Sequence, residues 1–380
     1  MKQRALWASG LLLLAAAISF LAYGQRNFGG LLAGLAVSLA ACAVLVRPLR
    51  TLLTTLVSIV LALAFVELGL GWLQPDSAQT HYDRDSDYVK HYWSQTDIGS
   101  IPRPGVHTTR KLAANGELIY AVSYTIGDDG FRVTPGSDGP KGRPRANFLG
   151  CSVTFGEGLN DSDTFAARVG SKLPEAQIKN YGIHGYGMHQ ALAILESDRD
   201  TSGKLNFVLT APWHAERSAC LPSFALGSPR YRRLADGGVQ RDGVCGGIAY
   251  YPAARLLSLS RVYSLVKQAV QSREGQDAQI ELYLALIKRM AELSRSRQQT
   301  LMIGFMKAEA KWFTGSFSNE KIVQRLQAMP VEVIDLTLSE KPEDSPEKYR
   351  LHKLDAHPTA LANEDRAALV VDRIREVLTR

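Results

Sequence analysis

Three apolar runs, at 5–23, 28–46 and 51–73, occupy most of the first 73 residues, and Glu67 is the only charged residue within them. Each is about as long as the roughly 20 residues a helix needs to cross a hydrocarbon core. A chain built this way does not fold into one aqueous core, so residues 1–74 read as three transmembrane helices. A secretory signal peptide is the alternative for the first run, because Lys2 and Arg4 precede it. Its length, and the lack of a small-x-small cleavage site before Gly24, favour a retained helix. Glu67 lies near the end of the third run, where it is expected to approach the interface or find a polar partner.

The basic residues give an orientation. Lys2 and Arg4 precede the first run and Arg47 and Arg50 separate the second from the third, whereas the first connection holds only Arg26. The positive-inside tendency places the N-terminus and the second connection in the cytoplasm and carries everything after about residue 74 across. The expected setting is a bacterial inner membrane, with the C-terminal part in the periplasm and the N-terminal helices in the lipid bilayer. Of the net charge of +7, +4 belongs to residues 1–75 and is topology signalling. Apart from the short Arg230-Tyr231-Arg232-Arg233, read as a surface strand or loop, the part after the apolar runs has no basic run with interleaved aromatics of the kind a nucleic-acid groove needs, and no nucleic-acid partner is expected.

Residues 75–144 are polar and rich in turn signals, with a strand at 118–126, and read as an approach segment packing on the main domain. From 145 onward short apolar strands (147–149, 178–181, 207–210, 300–305, 331–334) alternate with helical stretches (163–173, 189–198, 278–297, 362–379). That alternation predicts an α/β fold, a parallel sheet with helices on both faces and a ligand site at the carboxyl ends of its strands. An insertion at about 215–270 breaks the rhythm. It holds a hairpin turn at 235–239 and a helical stretch at 250–270, expected to cap or flank the sheet edge.

The chemistry-bearing segments are Gly150-Cys151-Ser152-Val153-Thr154-Phe155-Gly156, just after the first of these strands, and Asp355-Ala356-His357-Pro358-Thr359 near the end. A serine hydroxyl becomes a nucleophile when a base takes its proton, and a histidine base works best when a third group fixes its tautomer. Ser152, His357 and Asp355 are therefore the candidate catalytic residues, although Ser152 taken alone reads better as a helix cap. Between them lies Asn180-Tyr181-Gly182-Ile183-His184-Gly185-Tyr186-Gly187.

In this order and spacing the three segments resemble the first, second and last blocks of the SGNH (GDSL-type) hydrolase family, over roughly residues 145–375. The resemblance implies a flavodoxin-like three-layer α/β/α domain. It makes Ser152 the nucleophile, His357 the general base and then acid, Asp355 its orienting partner, and the N–H groups of Ser152 and Gly185 an oxyanion hole. Two departures stand out. Cys151 replaces the family's aspartate, and the stretch from Ala211 to Arg217 lacks the asparagine of the third block, leaving His214 as either a candidate oxyanion donor or a buried structural histidine.

No cofactor is expected. No metal is expected either, since no carboxylate or cysteine completes a ligand spacing around His184 and His189. In an oxidising compartment Cys220 and Cys245 either form a disulfide or remain two free thiols. Arg132 either binds a substrate carboxylate or anchors its hairpin, and Trp93, Trp213 and Trp312 either stack on sugar rings or pack in the core. The expected activity is that of a membrane-anchored serine esterase or O-acyltransferase acting on acyl esters, acetyl above all, of an envelope or exported polysaccharide. The alternatives are a lipid or lysophospholipid esterase and a catalytically weak scaffold of a polysaccharide export assembly.

Overall fold

The computed structural model describes residues 2–24, 27–73, 80–137, 142–246, 257, 259–271, 275–338 and 348–380. They fall into two compact units, 1–77 with 250–273 and 78–249 with 274–380.

The first unit is built on three helices, Lys2–Gly24, Phe28–Leu45 and Arg50–Leu73. The second and third are long and apolar enough to cross a membrane, and only 28% and 11% of their apolar windows are buried; the first carries the shorter apolar stretch Leu6–Ala22. Small residues such as Ala15, Ala36, Ala41 and Ala64 are enclosed while Leu13, Phe20, Phe65 and Trp72 face outward. Helices that associate within lipid pack in this way, with small residues at the contacts and bulky ones toward the acyl chains.

Glu67 is buried, and its partners come from far along the sequence. Its carboxylate accepts from the backbone N–H groups of Arg261 (2.9 Å) and Val262 (3.2 Å) and from the Ser260 hydroxyl. It thereby satisfies the free amides that open helix Arg261–Gln271. Helix 261–271, part of the stretch expected to cap or flank the sheet edge, groups with the N-terminal helices. A buried carboxylate needs donors, and a helix start supplies them. Residues 250–256 lie outside the described residues.

The strands of the second unit are β1 (Thr80–Tyr82), β2 (Trp93–Thr96), β3 (Gly99–Pro102), β4 (Gly105–Ala113), β5 (Leu118–Ile126), β6 (Arg145–Gly150), β7 (Gln177–Gly182), β8 (Leu205–Thr210), β9 (Pro229–Arg233), β10 (Val239–Val244), β11 (Thr300–Phe305), β12 (Glu332–Asp335), β13 (Arg350–His352) and β14 (Asp355–Pro358). A five-stranded sheet runs β12-β11-β8-β6-β7, parallel throughout. In chain order this is the flavodoxin-like 2-1-3-4-5 arrangement, whose strand order reverses between β6 and β8.

Neighbouring strand residues feed opposite cores. Leu149, Val208 and Ile303 pack with helices Met188–Glu196 and Gly275–Ser296, and Phe148, Phe207 and Met302 pack with Phe165–Lys172 and Ala360–Thr379. Both faces are covered, which is why these strands read as continuous apolar runs.

Residues 80–137 are more ordered than an approach segment: β1, β4 and β5 form an antiparallel sheet, and β2 and β3 a hairpin. The basic tetrapeptide forms most of β9, paired with β10. Arg230, Arg232 and Arg233 are exposed, whereas Tyr231 turns inward to bond Glu196 (2.7 Å).

Candidate active site

β6 ends at Gly150, and the chain turns at once into the helical turn Ser152–Phe155. That turn lies against β7 so closely that a Cβ on Gly182 would stand 2.4 Å from the Phe155 nitrogen. Ser152 is thereby held at the carboxyl edge of the sheet, beside the reversal of strand order, where open α/β sheets bind ligands.

The Asp-x-His segment arrives from the far end of the sequence as β14. Asp355 Oδ1 accepts from the His357 backbone N–H (3.0 Å) and lies 2.6 Å from His357 Nδ1, so the two-residue spacing fixes both backbone and ring. His357 Nε2 then stands 2.8 Å from Ser152 Oγ. With Nδ1–H donated to Asp355, Nε2 offers its lone pair to the serine hydroxyl, the tautomer needed for proton removal.

Charged neighbours invisible to the sequence reading complete the arrangement. Lys111, from β4, lies 2.7 Å from Asp355 Oδ2 and 3.5 Å from Glu157 Oε1. Burial pushes the Asp355 carboxyl up, but the bonds from His357 and Lys111 outweigh it and hold the group at about 2. Glu157 bonds His184 Nδ1 (2.8 Å) and Tyr82 OH (2.6 Å) and comes within 3.4 Å of His357 Nε2. Burial pushes Glu157 up as well, yet His357, His184 and Lys111 bring it well below the ordinary carboxylate range. For His357 burial favours the neutral ring, while Glu157 and Asp355 more than reverse this and raise it.

Glu157, Asp355 and His357 offer donor atoms within 4.8 Å of one another, a cluster the sequence reading did not foresee. The ammonium of Lys111 already supplies a cation to both carboxylates, and His184, Tyr82 and His357 take the remaining contacts. The donor set therefore reads as an ion-pair network.

Gly185 takes a left-handed conformation (φ 74°), and a Cβ there would meet the Phe224 ring at 2.9 Å. Phe224 is 61% exposed and belongs to the loop closed by the disulfide between Cys220 and Cys245 (Cα–Cα 5.4 Å). Among the described residues Cys42 and Cys151 are free thiols, and Cys151 is buried.

His214 does not meet the expectation of a third oxyanion donor. Its ring is fully enclosed, Nδ1 lies 2.9 Å from Thr210 Oγ1 and accepts from the Ala211 N–H (3.2 Å), and Nε2 has no hydrogen-bond partner among the described residues. A side chain with no accessible surface cannot touch a bound ester in this conformation. Here it closes the turn after β8.

Arg132 is likewise an anchor: fully buried, it donates to the carbonyls of Phe155, Gly156 and Leu159 and pairs with Asp161. It clamps the loop that carries Glu157. His189 bonds Ser228 (3.0 Å), and Trp93, Trp213 and Trp312 are each partly buried against core residues.

No family model and no curated protein matches the sequence. Among solved structures, the chain is similar to a member of the lipolytic G-D-S-L family from Veillonella parvula, at 13% identity and a TM-score of 0.35 over 62% of this chain and 98% of that one. It is also similar to AlinE4, an SGNH-hydrolase family esterase, at 14% identity and a TM-score of 0.32 over 63% of this chain and 99% of that one. Likeness at this level leaves the chemistry to be read from the residues themselves.

Proposed function

We propose that this protein is a membrane-anchored serine esterase or O-acyltransferase of SGNH type that works in the periplasm on acyl esters, acetyl above all, of an envelope or exported polysaccharide. The observation that carries the reading is the continuous chain from Ser152 Oγ to His357 Nε2 (2.8 Å) and from His357 Nδ1 to Asp355 (2.6 Å). Ser152 Oγ attacks the acyl carbonyl while its proton passes to Nε2. The N–H groups of Ser152 and Gly185 hold the tetrahedral oxyanion. Collapse expels the alcohol oxygen, which takes the proton back from His357 and leaves an acyl-serine. Water in a hydrolase, or a sugar hydroxyl in a transferase, then gives its proton to His357 and attacks the acyl carbon; as this second tetrahedral intermediate collapses, Ser152 Oγ leaves and takes that proton from His357.

The disulfide supports an oxidising compartment, and the apolar helices support attachment to the bilayer. The exposed ring of Phe224 beside Gly185 is suited to covering a short acyl group or a sugar face. The test is hydrolysis of a chromogenic acetyl ester by the full-length protein in detergent. Ser152→Ala and His357→Ala are each expected to lose about 10³-fold or more in kcat/KM; equal background rates in all three proteins would end the serine mechanism. An acceptor glycan supplied with an acyl donor separates transfer from hydrolysis, and a preference for long-chain esters would redirect the reading to lipids.

A further inference from the structure

The imidazole of His357 meets a group that the Ser-His-Asp scheme does not use. Glu157 turns Oε2 to within 3.4 Å of His357 Nε2, the same nitrogen that faces Ser152 Oγ. We propose that Glu157 is a positioning residue for the catalytic imidazolium, a second carboxylate that shares the Nε2 proton with Ser152 Oγ once the serine has given it up. The inference rests on the serine mechanism above.

The carboxylate is held in place from several elements. Tyr82 (β1) donates to Oε1 at 2.6 Å, Tyr120 (β5) stands 3.4 Å away and Lys111 (β4) 3.5 Å away. On the other side His184, following β7, gives Nδ1–H to Oε2 at 2.8 Å, while its Nε2 pairs with Tyr92 OH at 3.2 Å. Burial favours the neutral form of His184, so this ring acts as a donor. Arg132 fixes the loop beneath by its bonds to Phe155, Gly156 and Leu159. A carboxylate only 5% exposed is costly to enclose, and the contact it makes with Nε2 discriminates between protonation states. Facing the lone pair of a neutral ring it repels; facing Nε2–H it attracts.

The charges around His357 point the same way. Asp355 and Glu157 are negative and Lys111 is positive, while burial first, with Glu157 among the other causes, pushes Tyr82, Tyr88, Tyr92, Tyr120 and Tyr124 upward and keeps them neutral. Arg132 is paired with Asp161. The trio of Asp355, Glu157 and Lys111 therefore carries one net negative charge that protonation of His357 cancels. Stabilisation that appears only when the imidazolium forms lowers the barrier to serine attack. In the step itself the Ser152 O–H bond breaks and an Nε2–H bond forms; Glu157 accepts a hydrogen bond and takes no proton. The cost is a resting base more readily blocked by acid.

The experiment measures two rates against pH on the full-length protein, acetyl-ester hydrolysis and labelling of Ser152 by a fluorophosphonate. In Glu157→Gln the ratio of the rate at pH 6 to that at pH 8 should rise about threefold or more over wild type, because His357 then gives up its proton at lower pH. Glu157→Asp keeps the charge and should stay nearer the wild-type ratio. Wild type itself should show an acid limb centred above the ordinary histidine value of about 6.5, a measurement that needs no variant. An unchanged ratio in folded Glu157→Gln, or a wild-type midpoint at or below 6.5, overturns the role of Glu157 while leaving the serine mechanism standing. A wild type that the probe labels no faster than Ser152→Ala takes both down.

Discussion

Asp355 is held from two sides, by His357 through one oxygen and by Lys111 through the other. The lysine keeps Asp355 ionised and balances Glu157, but its positive charge also opposes protonation of His357. Lys111→Met therefore moves the acid limb of kcat/KM toward higher pH, opposite in sign to Glu157→Gln, since the base then binds its proton more tightly. Loss of the cation from a mostly buried network should also cost about 3 kcal/mol of stability, read as a lower melting temperature in detergent. An unchanged limb would show that Lys111 acts through packing alone, and a limb shifted toward lower pH would contradict its electrostatic role.

At the scale of elements, the loop from Cys220 to Cys245 carries Phe224 and the β9–β10 hairpin, yet none of the Ser152, His357 and Asp355 hydrogen bonds passes through it. Closing a separation of 25 residues is worth about 3 kcal/mol in the chain-entropy view. A Cys220→Ser/Cys245→Ser protein should melt earlier by a corresponding amount and show KM rising more than kcat falls, because the ring beside Gly185 is loosened while the nucleophile is not. A fall in kcat at constant KM would place the loop in the chemistry.

The same scale separates what could be read from the residues from what could not. The five parallel strands were legible because strands buried on both faces are continuously apolar, and Asp355 and His357 because their partnership spans two residues. The Glu157 partnership escaped because the residue stands in a turn-like Gly156-Glu157-Gly158 stretch whose partners, Tyr82 and His184, lie on other strands and loops. Lys111 escaped because nothing on β4 marks which of its alternating side chains will meet β14. His214 was open between donor and buried histidine because its position in the chain suits both, and the turn after β8 folds the ring inward.

For the whole molecule, the buried small residues and outward-facing Leu, Phe and Trp side chains of the N-terminal helices complement the asymmetry of the basic residues. A reporter active only in the periplasm, fused after Arg380, should therefore be active, and one active only in the cytoplasm silent; the reverse pattern would invert the topology. The Ser152–His357 and Lys111–Asp355 contacts span 205 and 244 positions. On the proposed topology, a half-translocated chain would carry a serine with no base and an aspartate with no histidine, and would stay chemically silent. The proposed esterolysis would switch on only when β14 docks, so on this topology nascent copies threading the membrane would not consume substrate or acylate themselves before they are folded.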